Sequence, residues 1–403
     1  MLPRAPVFLC LALLSACGGG GGPDGGMGGG TGGGFAGPSD GGLDLNDVSF
    51  LFPLPAPGNE GQLLGLDSSG PRGALLPRAF FDTLPVIVEG ADAGALFART
   101  RVVGVRVDPC FPGSAPPAPP SCVKQLRLVA QPVLPGGADA GFAETTEDAT
   151  IHLFYALDDA AFDEVHRALW RLKDSVGAAT DGKPLDVHPV MAREGLSGAY
   201  ASAVKELVRQ HCGAQNLTRV AFMSVAQFGR AWRFGAFDVA AGALEADAIP
   251  RLNGLTAQNV QEFGTTEFRN GALLPSPPGD DLDTLLSEST MRLADPGTLG
   301  RALTSALRIE HPERESPKTI DCGSCHVASR ARRNAEVRRG IDNSTHADAF
   351  HAPARFNLMR VDGAGDDPNA LRAFGYFGSV SALSQRTINE SAAVAEALSL
   401  SRP

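Results

Sequence analysis

What the sequence lacks narrows the reading first. No apolar run reaches the length of about 20 residues that a membrane-spanning helix needs, so no permanent transmembrane segment is expected. Positive charge is in short supply. The 35 Lys and Arg stand against 45 Asp and Glu, and the net charge of −10, with no basic stripe carrying interleaved aromatics, argues against a nucleic-acid partner. The common catalytic signatures are missing as well. There is no nucleotide-binding glycine loop, no Gly-x-Ser-x-Gly elbow and no His-Glu-x-x-His zinc helix.

What is present begins at the N-terminus. Arg4 supplies a positive start, Ala5 to Leu14 is apolar apart from Pro6, and the small pair Ser15-Ala16 precedes Cys17. This is the layout of a secretory signal. The ending Leu14-Ser15-Ala16-Cys17 resembles the lipobox of bacterial lipoproteins. The resemblance implies cleavage of residues 1–16 and acylation of Cys17, which would anchor an exported protein to a membrane of the cell envelope. Gly18 is not an inner-membrane retention residue of the enteric kind, so the outer membrane is favoured. Residues 17–43 are dominated by glycine and have no apolar periodicity, which predicts a flexible tether. Its root-mean-square reach would be roughly 25–30 Å for a spacer of this length.

Beyond the tether, about 360 residues remain, enough for two modest domains. In 44–290, Val103, Val105 and Val107 alternate as one face of a strand, and Leu126, Leu128 and Ala130 as one face of another. Ile151 to Leu157, Thr218 to Val225 and Ala231 to Val239 also read as strands. Phe162, Val165, Leu169 and Leu172 recur at helical spacing, as do Tyr200, Val204, Leu207, Val208 and His211, with Gly213 expected as a C-cap. The expected class is α+β with a mainly antiparallel sheet. His152, His166, His188 and His211 are scattered through it and read as structural or surface histidines. This region carries no motif that names a function.

Seven cysteines in an exported chain call for an accounting. Cys10 leaves with the signal and Cys17 takes the lipid. Cys110 and Cys122 bracket a proline-rich loop between two strands and are expected to form a disulfide, with Cys212 as a competing partner. Cys322 and Cys325 fall in Asp321-Cys322-Gly323-Ser324-Cys325-His326. Two thiols three positions apart can reach both vinyl groups on one haem edge, and the adjacent imidazole can lie under the iron.

This Cys-x-x-Cys-His run resembles the attachment site of c-type cytochromes, and the resemblance covers about the last 110 residues. It implies an all-α, cytochrome c-like domain over 291–403 that binds one covalent haem c, with His326 as proximal iron ligand and one-electron transfer to a redox protein partner as its function. Asp295-Pro296 would open a helix before the motif, and Ile388, Ala392, Ala395 and Leu398 would form a closing helix with Asn389 and Glu390 near its start. Met359, 33 residues after His326, is the expected sixth ligand; His351, His346 or an open position are the alternatives, and an open position would suit a haem enzyme or sensor. Arg330, Arg332, Arg333, Arg338 and Arg339 are either a solvated helix face or partners for haem propionates. Phe374, Tyr376 and Phe377 either wall the haem or fill ordinary core. A different class of reading also stands: a non-redox envelope lipoprotein whose Cys322 and Cys325 form a disulfide, or a metal site completed by His346 and His351.

Overall fold

The computed structural model describes residues 41–56, 58–112, 122–134, 145–226, 231–261, 281–341 and 346–403. The signal, Cys17 and most of the tether lie outside the described residues, as do the interior of the proline-rich loop and the link 227–230. Residues 39–403 make up one compact unit. Its strands are β1 (Ser49–Leu51), β2 (Ser69–Gly70), β3 (Gly73–Ala74), β4 (Thr100–Pro112), β5 (Cys122–Leu134), β6 (Thr145–Thr146), β7 (Thr150–Ala156), β8 (Leu217–Ala226), β9 (Ala231–Ala240), β10 (Ala243–Ala246), β11 (Ala257–Gln261), β12 (Phe374–Phe377) and β13 (Val380–Leu383). Its helices are α1 (Leu45–Val48), α2 (Arg78–Thr83), α3 (Ala93–Arg99), α4 (Asp159–Val176), α5 (Pro189–Glu194), α6 (Ala199–His211), α7 (Glu288–Leu293), α8 (Pro296–Glu310), α9 (Cys322–Arg339) and α10 (Gln385–Leu400).

The main sheet runs β1-β4-β5-β7-β8-β9-β10, with β11 also on β9 and β6 on β5. Every ladder among the described residues is antiparallel, so the class is mixed α and β with an antiparallel sheet. Period-2 alternation divides the sheet into two faces. One carries Val105, Leu128, Leu153 and Val220 into a core with Phe162, Val165 and Leu169 of α4 and Val204 and Val208 of α6. The opposite face carries Met223, Trp232 and Phe234 into a second core with Leu299, Ala302 and Leu303 of α8 and Val327, Ala328 and Ala331 of α9. Helices therefore cover both faces.

Residues 291–403 are not all helical. Phe374 to Leu383 folds back as the antiparallel pair β12–β13 through Gly378, whose φ of +63° suits a residue without a Cβ. Aromatic and β-branched residues on both arms favour a strand pair over a helix here. The Phe374 ring packs on the bulge in β4, where a Cβ added to Gly104 would lie 2.5 Å from Phe374 Cε1. Gly104→Ala should therefore cost about 1–3 kcal/mol as an overpacking change, read as a lower denaturant midpoint in equilibrium unfolding. Tyr376 donates its hydroxyl to the Phe52 carbonyl at 2.5 Å, and its amide donates to Gln131 Oε1 at 2.7 Å. Phe374 and Tyr376 are thus core residues that tie this strand pair to the sheet.

Of the smaller expectations, some are met and some move. α8 starts where Asp295 caps it, accepting from the Gly297 and Thr298 amides. The C-cap of α6 is Cys212 rather than Gly213, and Gly213 instead lies against the Arg72 backbone. α10 starts four residues before Asn389, capped by Ser384, which places Glu390 a full turn inside the helix. Cys110 and Cys122 stand at disulfide distance, with Cα atoms 4.5 Å apart. Cys212 is a free, buried thiol.

Candidate functional site

Asp321 caps α9 by accepting from the Ser324 amide at 2.9 Å, so the helix begins on Cys322. At 3.6 residues per turn, Cys322, Cys325 and His326 then share one side of the first turn. Gln258 of β11 locks that turn to the sheet. It donates from Nε2 to Asp321 Oδ2 at 2.6 Å and accepts the Gly323 amide on Oε1 at 2.6 Å. A Cβ on Gly323 would come within 2.8 Å of this amide group, which explains a glycine inside the Cys-x-x-Cys run.

His326 is held in one tautomer. Its Nδ1 lies 2.7 Å from the Leu371 carbonyl oxygen, which can only accept, so Nδ1 carries the proton and Nε2 keeps a lone pair. Burial pushes its pKa down to about 4, and the imidazole is neutral at physiological pH. A neutral ring with its second nitrogen tied to a carbonyl is the usual state of a histidine that ligates a metal.

The thiols are not arranged for redox exchange. Cys322 and Cys325 are free rather than joined. Burial pushes Cys322 up to about 12 and also raises Cys325, so both are protonated thiols rather than thiolates. That outweighs the lowering a helix N-terminus usually gives a Cys-x-x-Cys pair. A zinc ion would need four donors converging on one point. Among the described residues no group of three His, Cys, Asp or Glu side chains does so.

The structure adds a residue that sequence reasoning set aside. β7 alternates, so His152 and Phe154 face α9 while Ile151, Leu153 and Tyr155 enter the other core. The ring centroids of His152 and His326 are 6.4 Å apart at 79°, and Phe234 packs closer to His326 at 4.7 Å. Burial, followed by the neighbouring His326, puts the His152 pKa well below its ordinary value. His152, Cys322, Cys325 and His326 all lie deep in the fold, yet each keeps accessible surface. Deep groups with accessible surface line an internal space rather than packed core.

The floor of this space is charged. Alternation places Arg106 and Asp108 of β4, Gln125 and Arg127 of β5 and Arg219 of β8 on the His152 face. Glu390 reaches in from α10 and accepts from Arg127 Nη2 at 2.5 Å and Arg106 Nη2 at 3.2 Å. Gln125 Nε2, Arg127 Nε, Thr150 Oγ1 and Asp321 Oδ1 are buried with no hydrogen-bond partner. A cleft of about 280 Å³ lined by Phe111, Gln125, Phe154, Arg219, Asp238 and Lys318 opens at one end of the same face.

The other expected ligands lie elsewhere. Met359 is 60% exposed, in an open groove beside Ser329, Arg332, Arg333 and Glu336 further along α9. His346 lies 3.3 Å from Thr304 Oγ1, and His351 is exposed. The structure does not bring Met359 to His326. The arginines of α9 divide: Arg330 and Arg332 turn inward, while Arg333 and Arg338 lie on an exposed face. Arg330 pairs with Asp362 at 3.0 Å, Arg332 with Glu310 at 2.9 Å, Arg333 with Asp366 at 2.9 Å, and Arg339 donates to the Met291 carbonyl. Arg338 is exposed. No helix among the described residues is long and apolar enough to cross a membrane.

No protein-family model matches the chain, and no match is found among curated proteins or solved structures.

Proposed function

We propose that this chain binds one covalent c-type haem through Cys322, Cys325 and His326 and serves one-electron transfer in the cell envelope, tethered by a lipid on Cys17. The observation that carries this reading is the first turn of α9. Two free thiols and a neutral imidazole with an uncommitted Nε2 share one side of that turn and line an internal space, without converging on a point as a zinc site would. When bound, the haem supplies an iron that gains and loses one electron. The chain's own residues do the rest. Cys322 and Cys325 would take the thioether links, and Leu371 O would hold the His326 ring in its ligating tautomer. Phe234, Trp232 and Met223 form the apolar wall that keeps bulk water from the ring.

The cytochrome-like part would be the helices α8, α9 and α10, with the antiparallel sheet of 44–290 as the opposite wall. That is a departure from small cytochromes, which complete the pocket with their own helices. The lipid reading rests on Leu14-Ser15-Ala16-Cys17 and the glycine tether, and Gly18 favours the outer membrane over the inner.

Expression of the full chain with its leader, in a bacterium equipped for c-type haem attachment, tests both readings on one preparation. Peroxidase staining of a denaturing gel is expected for the wild type and absent for the Cys322→Ala, Cys325→Ala double variant. An unstained wild type would overturn the haem reading. Mass spectrometry should find a mature chain beginning at acylated Cys17. Unchanged membrane fractionation of Cys17→Ser would overturn the anchor.

A further inference from the structure

We infer that His152 is the second axial ligand of the iron, so that one haem is held between a histidine of the sheet and His326 of α9; this rests on the haem reading above. Four observations on the chain lead there. First, the strand alternation of β7 puts His152 on the sheet face that α9 covers, two residues from Phe154 and directly across from Val129 and Ala221. Second, its ring centroid lies 6.4 Å from that of His326. That is wider than the 4.7 Å contact between Phe234 and His326, so the imidazoles are neighbours with room between them. Two imidazoles on opposite sides of one metal ion, each with a metal–nitrogen bond of about 2.0 Å, keep ring centres on the order of 6 Å apart.

Third, His152 is uncommitted. Among the described residues neither ring nitrogen has a hydrogen-bond partner, although the ring lies deep in the fold. The residue is half-buried and keeps accessible surface, so an imidazole with no partner here is free to take a ligand. Fourth, three buried polar atoms without partners share the sheet face of His152, with Thr150 Oγ1 two residues away and Gln125 Nε2 and Arg127 Nε on the adjacent strand. Met359 has none of these properties, being exposed in an open groove.

The consequence is a six-coordinate iron with two nitrogen ligands. Such a site transfers electrons without an open position for a small molecule, which disfavours the haem enzyme or sensor alternative. The sheet region then has a role in the redox centre rather than acting as a passenger.

The test uses the full chain carrying covalent haem. The wild type should show a low-spin spectrum in both oxidation states and no spectral response to carbon monoxide when reduced. His152→Ala should still stain for covalent haem but shift to high spin, bind carbon monoxide, and regain the low-spin spectrum on addition of imidazole. His152→Met guards against a collapse of the cavity, since it should restore six-coordination with a spectrum that differs from wild type. Met359→Ala should match the wild type. An unchanged low-spin spectrum in both His152 variants, or a high-spin Met359→Ala, would overturn the inference while leaving the haem reading intact. A wild type without covalent haem would remove both.

Discussion

Glu390→Ala should lower the stability of the folded chain by about 3–5 kcal/mol, the range for removing one partner from a buried ionic network. Glu390 is the shared counter-ion of Arg106 and Arg127, whose side chains are only 8% and 9% exposed. Without it, Asp108, at 3.2 Å from Arg127, is the one carboxylate left beside two buried guanidinium groups. Glu390→Gln keeps the shape and one of the two acceptor oxygens but not the charge, and it should cost less than the alanine. The pH dependence follows from the same contacts. Burial by itself would raise the Glu390 pKa, but Arg127, Arg106 and Arg386 outweigh it and hold the carboxyl well below the usual range. A carboxylate with a depressed folded pKa contributes stability that is complete above its unfolded pKa of about 4.3 and fades as pH falls through the folded value. Denaturant midpoints measured from pH 7 to pH 3 should therefore fall less steeply below pH 4 in Glu390→Gln than in wild type. Parallel curves would mean that Glu390 contributes nothing specific.

The same network explains why half of the site was hidden in the sequence. The Cys-x-x-Cys-His run was legible because its residues are adjacent in sequence and the helix cap Asp321 directly precedes them. The strands were legible for a similar reason, since Leu126, Leu128 and Ala130 alternate with polar residues. That alternation ordinarily means one face in the core and the other in water. Here Arg106, Arg127 and His152 occupy the second face, and α9 and α10 cover it. The covering elements begin 170 residues beyond His152, at Cys322, and no local pattern records that they return to this sheet. His152 consequently read as an incidental histidine, and the helices read as an independent all-α domain.

The arginines of α9 failed for the opposite reason. A run of like charges suggests a solvated face or an anion site. Each buried member instead has a partner distant in sequence, such as Asp362 for Arg330 and Glu310 for Arg332. Composition counts such charges but does not pair them. Met359 was chosen by separation from His326 alone, and separation says little about a residue carried beyond the end of α9, just before a segment pinned by ion pairs at Arg360 and Asp362.

That pinning makes Asp362 the second position where one substitution should have a large effect. Its carboxylate is 1% exposed and accepts from Arg330 Nη2 at 3.0 Å and from the Leu383 amide at 3.1 Å. Arg330 in turn donates to Gly365 O at 2.6 Å and Ala370 O at 3.0 Å, one residue before the carbonyl that holds His326. Asp362→Ala leaves a buried guanidinium and a buried amide unpaired, so a loss of about 3–5 kcal/mol is expected. The loss should be local in its dynamics as well. Amide hydrogen exchange should accelerate across 363–371, with α4 and α6 unchanged relative to the global stability, because only the loop loses its tie to α9. A double-mutant cycle separates pair from scaffold. If the ion pair alone matters, Arg330→Met with Asp362→Leu should recover most of the loss. Only partial recovery is expected, because Arg330 also satisfies two loop carbonyls that no apolar side chain can replace. On that outcome, the loop's arginine ties keep Leu371 O on His326 Nδ1, and the Nδ1-protonated tautomer depends on an ion pair a full turn along the helix.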